Sequence, residues 1–330
     1  MEQETQNSHD GRDLVAALIR AAGRRTDPPE DAYQRVLTAA TAAFREKTAK
    51  RRGRTRLLWA AAASIAALAI ALLLPWHTTS TSSQVAMVAR IIGSVERGDG
   101  NAWKPMTDPG GALAEGTSLR TLAGGSVALA LEGGASLRLA AATEVQLDGA
   151  RRILLRSGAL YLDNAGSVGT GYQVETPAGT ARDVGTQFEL QVAGGVLRLR
   201  VREGRVEIDR AGRVLSGSAG EQLEIDALGG VTRSSIGTAD MAWQWAETIA
   251  PAPEIDGQPA TALIAWVARE TGRQLRYQSA AVESRAAAVI LHGNIRHLAP
   301  LAALDVMLAT TDLEYTLAGD TMEIRTRTGL

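Results

Sequence analysis

Three kinds of hydrophobic spacing follow one another along the chain. Between residues 13 and 44 the apolar positions recur at helical intervals: Leu14, Val15, Leu18 and Ile19 form one stripe, and Tyr33, Val36, Leu37, Ala40 and Phe44 form a second. Gly23 stops the first helix, and Asp27, Pro28 and Glu30 supply a cap, a first-turn proline and a box-like partner for the second. From Leu57 to Trp76 the pattern changes to a continuous run, LLWAAAASIAALAIALLLPW, with no charge and Ser64 as its only polar side chain. Twenty helical residues match a bilayer core of about 30 Å, so the run predicts a spanning helix centred near Leu68, with Trp59 and Trp76 at headgroup depth. Beyond a polar tether at 77–84 the period falls to two: Val127, Leu129, Leu131; Leu137, Leu139; Val145, Leu147; Leu160, Leu162; Leu197, Leu199, Val201; Val206, Ile208; Leu223, Ile225. Each is a half-buried strand, and Gly124-Gly125, Gly133-Gly134, Gly158, Gly194-Gly195 and Gly204 mark corners between them. Spacings of eight to twelve residues fit a sandwich, a barrel or a short β-solenoid.

After Trp243, Trp245 and the Ala250-Pro251-Ala252-Pro253 stretch the reading becomes mixed, two β-α-β units in tandem. A strand at 254–257, a helix opened by Pro259 with Leu263, Trp266 and Val267 inward, and a strand at 275–277 make the first. A strand at 289–292, a helix through Leu301, Leu304 and Leu308, and a hairpin turning at Gly319-Asp320 make the second. The domain plan is therefore a helical segment 1–56, a span 57–76, a tether 77–84, a β-rich domain 85–236, a hinge 237–253 and an α+β module 254–330.

Charge orients this plan. Residues 1–56 hold twelve Lys/Arg against eight Asp/Glu, and seven of the twelve lie between Arg45 and Arg56, directly before the span. The next basic residue after it is Arg90, so the N-terminus is predicted to be cytoplasmic and the C-terminus to lie across the membrane. With no cysteine, disulfides, thiolate metal sites and thiol nucleophiles are excluded. The four histidines show no metal or triad spacing, and no phosphate loop or nucleophile elbow occurs, so neither catalysis, a cofactor nor a metal is expected. Asp183 and Glu189 are read as solvated or bonded to turn amides.

One stretch carries a specific signature. Tyr172 to Ile208 contains a Thr-Pro-x-Gly turn (Thr176, Pro177, Gly179), a strand start at Val184, Gly185, Thr186 and Phe188, and a closing Glu203, Gly204 and Val206. This resembles the core of the FecR family of periplasmic regulators, with weaker similarity from about 85 to 236. The residues are turn and strand chemistry, so they identify a fold rather than an active site. The order of elements after residue 254 is similar to the STN module.

The resemblance implies a single-pass signal transducer of the bacterial inner membrane with its C-terminus periplasmic, an anti-sigma factor whose residues 1–56 bind an extracytoplasmic-function (ECF) sigma factor. Leu14, Leu18, Tyr33, Val36, Leu37 and Phe44 are the candidate contacts. It further implies a periplasmic partner in the N-terminal signalling domain of a TonB-dependent transporter, and release by a regulated intramembrane protease; direct nucleic-acid binding is not implied. The alternative is a membrane-anchored periplasmic module that binds glycan or protein without a sigma factor.

Overall fold

The computed structural model describes residues 21, 29–43, 83–98, 102–164, 171–183 and 185–327. It divides into two compact units, 1–80 and 81–330. In the first, residues 30–43 form a helix that carries Tyr33, Val36 and Leu37, with 57%, 69% and 47% of their surfaces exposed. Leu14, Leu18 and Phe44 lie outside the described residues, as do Leu57, Trp59, Leu68 and Trp76 of the expected span.

The expectation of a one-helix membrane protein is corrected here. Among the described residues no helix is long and apolar enough to cross a membrane, and strands dominate. The described helices have at most fourteen residues, the length of 30–43, against about 20 for a span.

The second unit begins with a β body of two sheets that share one strand. The first sheet runs, in spatial order, Ala112–Ala114, Gln84–Ile92, Ser126–Leu131, Ser136–Leu139, the end of Arg152–Asp163, Gln187–Ala193, Val196–Glu203, Glu221–Ile225 and Val231–Ser235. The second runs Trp103–Pro105, Val95–Gly98, Ser118–Thr121, Glu144–Leu147, the start of Arg152–Asp163, Gln173–Thr176, Gly179–Asp183, Arg205–Arg210 and Arg213–Ser218. The pairing between Arg152–Asp163 and Gln173–Thr176 is parallel and the rest are antiparallel. One continuous core lies between the sheets. Leu129, Leu139, Leu160, Phe188 and Leu199 reach it from the first, and Leu119, Val145, Ile153, Val174 and Ile208 from the second. Each such side chain contributes roughly 1.5–3 kcal/mol on burial, whereas an exposed ion pair is worth about 1 kcal/mol or less, so the apolar layer holds the sheets together.

The chain repeatedly passes from one sheet to the other, and neighbouring strands cross at the same place. At one crossing Arg152–Asp163 bends at Gly158 (φ +90°), where a Cβ would stand 2.4 Å from the Oγ1 of Thr143 on the adjacent crossing. Only glycine permits that approach with that backbone.

Residues 254–327 fold around a core of their own, made by Ile255, Leu263, Ile264, Val267, Leu304, Leu308, Leu313, Met322 and Ile324. Helix Ala260–Glu270 follows Pro259, and helix Pro300–Leu308 has proline in its first turn, where no amide partner is required. The tandem reading is revised in three respects. The first strand is Gln258–Pro259 rather than 254–257, and it pairs with Ile290–Leu291 in a separate two-stranded sheet. Gln274–Tyr277 runs parallel to Thr321–Thr326, which also pairs with Leu313–Ala318 across the Gly319-Asp320 turn. A third helix, Ala280–Ala288, lies between them, capped by the Ser279 hydroxyl accepting from the Val282 amide at 3.4 Å.

Candidate functional site

The signature residues of the β body converge on one crossing. Thr176 and Gly179 face each other across a two-residue turn of Pro177 and Ala178, and the Thr176 hydroxyl donates to the Gly179 carbonyl at 2.7 Å while accepting from the Ala178 amide. Gly179–Asp183 then leaves the second sheet for Gln187–Ala193 in the first, through Gly185 (φ +70°) and buried Thr186. Its neighbour makes the reverse passage, from Val196–Glu203 to Arg205–Arg210, through Gly204 (φ +79°). A Cβ on Gly204 would stand 2.6 Å from the Thr186 methyl. Phe188 and Val206, just beyond the two passages, are fully buried in the core. Val184 lies outside the described residues. The motif is thus a double corner, and it offers no nucleophile or ligand set. Asp183 supports it from the side, accepting from the Tyr172 amide and, at 2.8 Å, from the Asn164 side chain.

A second constellation was hidden in the sequence. Strand alternation that points Leu137, Leu139, Leu160, Leu162, Leu197, Leu199 and Val201 inward must point Arg138, Tyr161, Asp163, Arg198, Arg200 and Arg202 outward. That outward face is covered by residues 236–270 instead of water. Arg138 is fully buried; it donates to the Ala246 carbonyl at 3.0 Å and pairs with Glu270 of helix Ala260–Glu270 at 2.8 Å, its guanidinium 5.0 Å from the Tyr161 ring. Burial lowers its basicity, but Glu270, with smaller help from Tyr161 and Asp163, more than restores it and the net pKa is raised. Arg202 donates to the Thr238 carbonyl at 2.6 Å, the Glu270 carbonyl at 2.8 Å and the Glu247 carboxylate at 2.6 Å, and lies over the Trp243 ring. Trp243 meets Tyr161 edge to face, with ring centres 6.0 Å apart.

Around this centre Arg269 pairs with Asp163. Burial raises the Asp163 pKa despite the opposing pull of Arg269. Glu189 accepts from Arg198 and Arg200 at 3.2 Å each and from the Trp245 indole at 2.7 Å, which corrects its reading as a solvated or turn-bonded carboxylate. Arg90 adds bonds to the carbonyls of Ala250, His297 and Leu298. Gly272 (φ +62°) ends helix Ala260–Glu270, and a Cβ there would stand 2.4 Å from the Arg202 Nε.

A cleft of about 510 Å³ borders the cluster, walled by Gly133, Gly134, Pro251, Pro253 and Trp266. Its charged lining groups, Arg138, Asp163, Arg269 and Glu270, pair with one another, so the arrangement suits holding two parts of the chain together better than capturing an ion. Among the described residues no group of three metal-ligating side chains occurs.

Comparison with known proteins gives one family match. Residues 117–207 match the family described as "FecR protein". Two crystal structures described as a "putative anti-sigma factor" from Parabacteroides distasonis are each 15% identical over 63% of this chain and 98% of theirs, with a TM-score of 0.35. No curated protein matches the chain. The family match ends at 207 and does not reach the C-terminal module, so it gives the STN likeness no support. Residues 117–207, the stretch similar to the FecR family, contain the turn, both passages and their glycines.

Proposed function

We propose that this chain is an anti-sigma factor of the FecR type. The FecR match at 117–207 carries the reading and supports a regulatory, non-enzymatic role in general. The specific partner proposed is an ECF sigma factor, bound through the helix at 30–43. That helix turns Tyr33, Val36 and Leu37 to solvent at i, i+3 and i+4, the spacing with which an amphipathic helix fills an apolar groove. Left exposed, three such side chains gain nothing from the hydrophobic effect; covered by a partner, each would contribute on the order of 1–3 kcal/mol.

The β body and its C-terminal module are proposed to receive the signal, from the N-terminal signalling domain of a TonB-dependent transporter in the periplasm.

Binding of the full chain to a purified ECF sigma factor tests the reading. Tyr33→Asp with Leu37→Asp places two charges on the proposed contact face and should weaken binding by about 100-fold or more, since each lost anchor costs at least ~1–2 kcal/mol. Undiminished binding by the double variant would overturn the assignment of that face.

A further inference from the structure

We infer that the β body and the C-terminal module form one rigid, cooperatively opening block, and that the Trp243–Pro253 segment between them does not work as a hinge. This goes beyond the sigma-factor reading and holds whichever partner binds.

The inference rests on how charge is distributed across the junction. Arg138 and Arg202 project from the β body, and their carboxylate partners, Glu270 and Glu247, both belong to residues beyond it. Asp163 reverses the direction, a buried carboxylate of the β body paired with Arg269 of the module. Arg138, Arg202, Asp163 and Glu270 are almost wholly out of water. A small rotation or slide of the module would separate these pairs while the face stayed covered, leaving unpaired charges in a dry interface, the most costly arrangement available to them. Full detachment would rehydrate the charges, but only by breaking the Arg138–Glu270 and Asp163–Arg269 pairs and the bond from Arg202 to the Glu270 carbonyl together.

Intermediate positions are therefore excluded, and the open state is reached in one step. The segment that reads as a hinge is itself fastened: the Trp243 indole donates to the Gly237 carbonyl, the Trp245 indole to Glu189, and the Ala246 and Ala250 carbonyls accept from Arg138 and Arg90.

The test is hydrogen exchange of the full chain, comparing Ile324→Ala with the unaltered protein. Ile324 is fully buried in the core of the module and belongs to a separate cluster from that of the β body. If the block opens as one, the variant raises the opening equilibrium of amides in helix Ala260–Glu270 and in strand Arg152–Asp163 by the same factor, about thirtyfold or more. Should Ile324→Ala fail to fold, Ile324→Val gives the same parallel shift at about two- to tenfold. Faster exchange in the module with the Arg152–Asp163 amides unchanged, in either variant, would overturn the inference.

Discussion

Arg138 shows how much a single side chain decides at this junction. A guanidinium fully out of water keeps its charge because Glu270 and the Ala246 carbonyl answer it. Removing one partner of such a pair strands the other, which typically costs about 3–5 kcal/mol, whereas removing both costs far less. Arg138→Met should therefore destabilise the protein by roughly 3–5 kcal/mol in urea unfolding, and Arg138→Met combined with Glu270→Leu should recover a substantial part. Additive losses in the double variant would show that the two groups do not act on each other. This residue was not legible in the sequence. Strand alternation puts Arg138, Arg200 and Arg202 on the outward face, but an outward arginine on a strand looks the same whether water or another part of the chain covers it. The paired tryptophans at 243 and 245 were the only signal that something buries itself there.

Among the elements, the strands were legible and their sheets were not. Every pair or triplet of alternating residues from Val127 to Ile225 named from the sequence lies in the core, because burial on one face is what a period of two records. Which strand joins which sheet depends on the crossings, where the information sits in single glycines and their neighbours. Helix Ala280–Ala288 escaped notice because its buried side consists of Val282 and Ala286, too small to make an apolar stripe. The crossings also make unequal demands on their glycines. Gly204→Ala combines a left-handed backbone with a 2.6 Å approach to buried Thr186, and should cost about 2–4 kcal/mol. Gly194→Ala, at φ +58° on an open hairpin tip with nothing within 4 Å, should cost only about 1–2 kcal/mol. Thermal unfolding of the two variants compares them directly, and equal losses would remove the double corner as the reason for the FecR signature.

At the scale of the whole molecule, the second unit carries three apolar clusters, one in the β body, one in the C-terminal module and a small one at their junction. Polar pairs at the junction fix the relative position of the first two, and the FecR segment at 117–207 lies entirely within the β body. The FecR resemblance was legible through turn and corner residues, since backbone geometry dictates what can stand there. The sigma-factor partner came with that resemblance, because an apolar face such as the one at 30–43 serves equally for packing on a neighbouring helix and for docking on a partner. The most direct measurement is the equilibrium affinity of the full chain for each ECF sigma factor of its own host, taken one at a time. The account predicts one that binds with a dissociation constant of about 1 μM or tighter, equivalent to roughly 8 kcal/mol. Failure of all of them to bind would contradict it.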